Sequence, residues 1–171
     1  MPSVGKQKKI RGNLIYVAGI FFLLAIAGYF LPIAGMKNAE GEIIPFESFL
    51  VFFGGEEYAN LSSGNFSFYF QVNIPILITF QALVIAFFAC LLGKNSMRNI
   101  TIAGILVVLS FVSTFLFLKY ILWINPGITE KGLVPMAGFY VGTACIVIGL
   151  ALLVVEGALC HNYWKDTKAF I

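Results

Sequence analysis

The sequence predicts an all-α membrane protein, a bundle of four transmembrane helices with a partly structured outer loop between the first and second. Three observations carry this. Hydrophobic residues make up 60% of the 171-residue chain and charged residues only 11%, whereas a soluble domain is about 45–50% apolar and about 25% charged. Long apolar runs occupy residues 14–34, 74–92, 100–124 and 133–155. Each holds about 18 residues or more, enough to cross a hydrocarbon core of about 30 Å as a helix. Finally, the cations are sided. Lys6, Lys8, Lys9 and Arg11 precede the first run, Lys94 and Arg98 lie between the second and third, and Lys165 and Lys168 follow the fourth. The opposite side carries Lys37 and Lys131, with Lys119 near a helix end. The positive-inside rule then puts both termini in the cytoplasm of a plasma-membrane protein and residues 35–72 outside.

The first run follows a basic tail able to rest on anionic headgroups. Its apolar core of about 20 residues exceeds the about 7–15 of a signal-peptide core. Removing it would also leave the termini on opposite sides, so it reads as an uncleaved anchor. It stops at Leu31-Pro32-Ile33-Ala34-Gly35, a Pro/Gly exit.

The outer loop is acidic, with Glu40, Glu42, Glu47, Glu56 and Glu57 against Lys37. It is also rich in phenylalanine. Phe46, Phe49, Leu50 and Phe53 recur at one-face helical spacing, over a stretch too short to span. Gly54-Gly55 ends it. Phe66, Phe68 and Phe70 then alternate with Ser67, Tyr69 and Gln71, the period of a strand or of an extended lead into the next helix. The expectation is a short helix at the outer interface followed by an extended aromatic segment. Two roles are open for it: interfacial anchoring, or a docking surface for a partner or lipid.

The second helix opens at Asn73-Ile74-Pro75, with Asn as N-cap and Pro in the first turn. The turn at 94–99 is short, which makes the second and third helices antiparallel neighbours. Asn125-Pro126-Gly127 ends the third, and residues 132–135 start the fourth. The whole chain is one domain.

Catalytic chemistry is not visible. No nucleophile–base set, paired acid and base, or phosphate loop occurs, and the chain is expected to be no enzyme and to hold no cofactor. Glu156, Cys160 and His161 resemble a metal cluster, but adjacent Cys and His do not share a helix face and no further ligands complete the set. No metal is expected, and Glu156 is expected in water at the cytoplasmic mouth of the fourth helix. Two N-x-[ST] sequons begin at Asn60 and Asn65.

What the sequence offers instead is packing chemistry. Gly138 and Gly142 form a G-x-x-x-G, and Gly149 follows a heptad later. Ala82 and Ala86 repeat the four-residue spacing on the second helix. Small residues let helix backbones approach in lipid, either within the bundle or between two copies. Gln81 is the most polar side chain deep in a span. It is expected to face inward and hydrogen-bond near Ser110, Ser113 and Thr114, either as glue between helices or as a small polar site.

Three features together, the Leu31-Pro32 exit, Phe52-Phe53-Gly54-Gly55 and Gly138-Phe139-Tyr140, resemble those of small uncharacterised four-helix bacterial integral membrane proteins. The resemblance implies the layout and no activity. The layout is also similar to that of claudin-type tetraspan proteins, but the outer-loop Trp-Gly-Leu-Trp and paired Cys are missing, and that family's function is not carried over. The expected role is a non-enzymatic accessory or scaffold subunit of a membrane complex. The alternative is a small oligomeric transporter or lipid-handling protein. Expected partners are the lipid bilayer and a membrane protein or second copy, with no nucleic acid.

Overall fold

Helices dominate the chain, and they are apolar on the outside as well as the inside. The computed structural model describes the backbone at residues 4–37, 41–61, 64–92, 97–124 and 132–168, and side chains at 13–37, 41–55, 70–92, 97–124 and 132–161. In order, the elements are α1 (Val4–Gly28), β1 (Ala34–Lys37), β2 (Ile43–Pro45), α2 (Ser48–Phe53), β3 (Gly55–Leu61), β4 (Gly64–Phe70), α3 (Ile74–Leu92), α4 (Met97–Ile124), β5 (Leu133–Pro135) and α5 (Ala137–Lys168).

Four helices form a ring in which α1 packs on α3 and α5, and α4 packs on α3 and α5. Its interior is filled by Ile15, Phe22 and Tyr29 of the α1 segment, Ile76 and Leu83 of α3, Val107 and Phe117 of α4, and Ile146 and Leu153 of α5. Its exterior is equally apolar: Leu24, Ile85, Ile105 and Val154 are exposed. A helix apolar on every face needs an apolar surround. Among the described residues, Ile74–Leu92, Met97–Ile124 and Ala137–His161 are each long and apolar enough to cross a membrane, and Asn13–Gly28 is a shorter apolar helix. The chain is a membrane protein.

Helix limits differ from those expected. The first helix starts at Val4, within the basic tail, and ends at Gly28 rather than at residue 34. Pro32 disfavours helix at the residue before it and cannot donate to a preceding turn. The chain unwinds through Tyr29, Phe30 and Leu31, whose N–H groups bond carbonyls of the last turn. The last helix starts at Ala137 rather than 133 and runs to Lys168 rather than 155. Val134-Pro135 again explains the late start, because the residue before proline prefers an extended backbone.

The extended residues are not idle. β1 lies between β2 and β5, antiparallel to both, with Gly35 opposite Pro45 and Val134. The exit of α1 and the entrance of α5 are thereby joined in one sheet. β3 and β4 make an antiparallel hairpin with Gly55 opposite Phe70. The region expected as a partly structured loop is therefore a cap of two small sheets and α2. The alternating aromatic segment is a strand, β4.

Some expectations lie outside the described residues: the side chains of Lys6, Lys8, Lys9, Arg11, Glu56, Glu57, Lys165 and Lys168, residues Glu40, Lys94 and Lys131, the sequon at Asn60 with its Ser62, the side chain of Asn65, and the Asn125-Pro126-Gly127 turn.

Candidate functional site

The polar groups that the sequence places in an apolar chain gather at two levels, the joint between cap and bundle and a buried seam just below it. At the joint, α5 begins with N–H groups that no earlier turn of its own can accept. Met136 N donates to Ile33 O at 2.8 Å and Gly138 N to Pro32 O at 2.9 Å. The unwound exit of α1 thus caps the start of α5. Only glycine fits at 138: a Cβ there would lie 2.6 Å from Leu31 O and 2.9 Å from Gly28 O.

The cap is pinned to the same segment. Ser48 Oγ donates to Leu31 O at 2.6 Å, and Phe46 N to Ala34 O at 2.9 Å. Asn73 N donates to Phe52 O at 3.2 Å. Asn73 Oδ1 accepts from Ile76 N at 3.2 Å, the N-cap geometry of α3, and Asn73 Nδ2 reaches Phe117 O at 3.5 Å. Gly54 turns the chain out of α2 with φ +82. The three sequence features that carried the family resemblance, at 31–32, 52–55 and 138–140, all belong to this joint.

The seam crosses the ring. Tyr29 Oη and Thr114 Oγ1 lie 2.9 Å apart. Thr114 Oγ1 donates its only proton to Ser110 O at 2.8 Å, so Tyr29 is the donor to Thr114. Ser110 Oγ bonds Leu106 O at 2.9 Å and Thr79 O at 3.3 Å, while Thr79 Oγ1 bonds Pro75 O at 3.1 Å and Ser110 O at 3.3 Å. Ser110, Ser113 and Thr114 are all buried.

Gln81 is not part of the seam. It is exposed on the outside of the bundle, contrary to the inward orientation expected of it. The reason is helical phase. Thr79, Ala82, Leu83, Ala86 and Cys90 form the buried face of α3, and Gln81 lies about 200° around the helix from Thr79. The inward polar residue is Thr79. Its β-branched hydroxyl returns to the carbonyl four residues back, and it therefore looks unremarkable in sequence.

The small residues face other helices of the same chain. A Cβ on Gly142 would meet the Tyr29 ring at 2.7 Å, and one on Gly149 would meet the Phe22 ring. Phe22 of α1 and Tyr29 just past its end, seven residues apart, are matched by glycines seven apart on antiparallel α5. That complementarity is readable in sequence once both runs are aligned, and it would have singled out Tyr29. Ala82 and Ala86 sit on the buried face of α3.

Glu156 continues the α5 register, seven residues after Gly149. It is 1% exposed, not in water as expected, because α5 does not end there but continues to Lys168. Cys160 Sγ lies 3.9 Å from its Oε1. His161 is exposed, away from both. Among the described residues, no three His, Cys, Asp or Glu side chains come together.

The aromatic face of α2 divides. Phe46 precedes the helix and is buried against Phe70, with ring centroids 4.9 Å apart. Leu50 is half-buried, and Val51 and Phe52 are the buried residues of the helix. Phe49 and Phe53 turn outward, 68% and 54% exposed. The helix packs on its Val51–Phe52 side because Phe52 meets Phe80 of α3 edge-on at 6.0 Å. Two hollows flank Phe53. One is a shallow cleft of about 490 Å³ lined by Gly54, Gly55, Phe70, Gln71 and Tyr120 among others. The other is an apolar groove of about 120 Å³ between α2, Phe30 and α3. Lys119 is exposed beside the cleft residue Tyr120, whose ring lies tilted against Trp123 with centroids 5.8 Å apart. No protein-family model matches the chain, and no curated protein matches it.

Proposed function

We propose that the protein spans the plasma membrane four times, with both termini in the cytoplasm, and acts as a non-enzymatic accessory or scaffold subunit of a membrane complex. In this reading α1 is the fourth span. It occupies a full place in the ring between α3 and α5, and its exposed Leu23 and Leu24 need lipid as the other helices do. The cation distribution orients the cap outward.

One observation carries the scaffold role: the cap is a fixed platform with a displayed surface. Backbone hydrogen bonds tie it to the ends of α1, α3 and α5, and beside it lies the broad cleft bounded by Gln71 and Tyr120. Backbone from Gly54-Gly55 and rings from Phe53, Phe70 and Tyr120 offer the aromatic and polar mixture common at protein interfaces. The polar seam supports this reading over a transporter. The hydroxyl protons of Tyr29, Thr79, Ser110 and Thr114 are committed to carbonyls and to one another, and Gln81, the residue that would have opened a polar site, faces away.

Gentle-detergent purification with crosslinking tests the role. A stoichiometric partner is expected, and it should be lost from Tyr120→Ala and Gln71→Arg variants that still fold. A consistently solitary monomer would refute it. Periplasmic-activity reporters fused to either end should be inactive, whereas a signal from one end alone would refute the four-span topology.

A further inference from the structure

The groove on the other side of Phe53 has a different chemistry. Its walls are Phe30 beyond α1, Phe49, Phe52 and Phe53 of α2, and Leu77 and Phe80 of α3. We propose that it holds the end of an acyl chain from a lipid of the cap-side leaflet; this rests on the reading that α1 and α3 both cross the bilayer.

Four features point to that occupant. The single polar side chain in the lining, Ser48, spends its hydroxyl proton on Leu31 O at 2.6 Å, so no donor is left for a polar ligand. Its volume of about 120 Å³ is below the roughly 150 Å³ of an apolar cavity that stays dry and takes one benzene. A few methylenes are enough to fill it. The site is preformed: Phe80 is met edge-on by Phe30 at 6.2 Å and by Phe52 at 6.0 Å, and Phe52 is 6% exposed. Lastly, the groove is continuous with the lipid-facing surface. Leu77 and Phe80 lie about 5–9 Å along α3 from its start, beside Ile74, Ile78 and Ile85, which are all exposed. A chain in the surrounding leaflet reaches the groove sideways without leaving the hydrocarbon region, and the exposed rings of Phe30, Phe49 and Phe53 line its entry.

The test uses the full chain in phosphatidylcholine proteoliposomes doped with one of two photoreactive lipids, carrying a diazirine at the end of an acyl chain or in the headgroup. Labelled peptides are mapped by mass spectrometry. The chain-end probe is expected to label residues 48–53 and 77–80 several-fold more than the equally lipid-exposed stretch 105–112 of α4. Leu77→Trp, which fills the groove, and Phe49→Ala, which removes a wall at an exposed position, should each bring this labelling down to the α4 level. Labelling at the α4 level in the unaltered chain, or preferential labelling by the headgroup probe, overturns the proposal. So does disulfide pairing of Phe49→Cys between two copies with no chain-end labelling, which would make a second copy the occupant. Leu23 and Leu24 report the underlying reading separately. If the chain-end probe does not reach them, the fourth span fails; if it does and the groove is not enriched, only the acyl-chain site fails.

Discussion

Gly138→Ala should be the most damaging single-methyl change in the bundle. The new Cβ would sit 2.6 Å from Leu31 O, 2.9 Å from Gly28 O and 3.0 Å from Pro32 O. All three are backbone atoms, so no side chain can rotate aside. To restore ordinary contact, the start of α5 must retreat from α1 by about 0.8 Å. The Gly138 N–H bond to Pro32 O, 2.9 Å now, then stretches to about 3.7 Å, beyond hydrogen bonding. Overpacking costs about 1–3 kcal/mol, and a stranded buried N–H about 1–3 kcal/mol more. The better helix propensity of alanine returns about 1 kcal/mol. The net is a loss of about 1–5 kcal/mol, or about 2–20 °C in Tm for a chain of this size. Thermal unfolding in mild detergent, followed by the surviving monodisperse fraction, measures it. Gly104→Ala is the internal control, since a Cβ there meets nothing within 4 Å; it should leave Tm unchanged or raise it. A Gly138→Ala protein as stable as the Gly104→Ala protein would refute the view that α1 and α5 are joined through these carbonyls.

Tyr29→Phe should cost about 0.5–1.5 kcal/mol through loss of one buried hydrogen bond, while Thr114→Val should cost more, because the Tyr29 hydroxyl, 2.9 Å from Thr114 Oγ1, is then left without its acceptor; the same melts compare them. Gln81→Leu should be neutral or stabilising, since it removes an exposed amide from a lipid-facing position, and a clear loss of stability would show that Gln81 has an inward partner after all. Gly54→Ala should loosen the cap and spare the bundle: φ +82 is strained for alanine, and its Cβ would meet Phe70 O at 2.7 Å. Hydrogen exchange should then rise in α2 and β4 while staying low in α4.

The helical part of the fold is legible because each apolar run is long and continuous, a signal that needs no knowledge of partners. Helix boundaries are hard to read at 31–34 and 133–135, where an extended segment is as apolar as the helix beside it. Ile33 and Ala34 are fully buried, and composition alone cannot distinguish their extended backbone from another helical turn. The prolines at 32 and 135 carried that information. Orientation was harder still. Around a transmembrane helix, lipid-facing and interior residues are both apolar, so hydrophobic periodicity, the usual guide to a buried face, is nearly absent. Polarity points Gln81 inward, and here polarity is the wrong guide, since Gln81 is exposed. The small residues Ala82 and Ala86 mark the interior of α3 correctly, and Gln81 is not on their face. The cap is legible in part, since the short helix α2 and the alternating strand β4 follow local patterns. Its three-stranded sheet, however, pairs residues near 35 with residues near 134, a contact no local pattern can announce.

The same few carbonyls tie the cap to the bundle. Leu31 O accepts the Ser48 hydroxyl from α2 and is also the backbone atom nearest the Gly138 position of α5. Pro32 O and Ile33 O cap α5, and Ala34 O receives Phe46 N at the foot of α2. Four consecutive residues after α1 therefore supply acceptors in turn to the cap and to the last helix. Pro32 makes this arrangement available, because it ends the helix early and the unwound segment turns successive carbonyls in different directions. A helix ending at residue 34 would leave the same four carbonyls without intrahelical partners, but all aimed along its axis, whereas here they diverge to Ser48 and Phe46 on the cap side and to Met136 and Gly138 at the start of α5. The break at the end of α1 is thus the element from which both the cap and the α1–α5 contact are built.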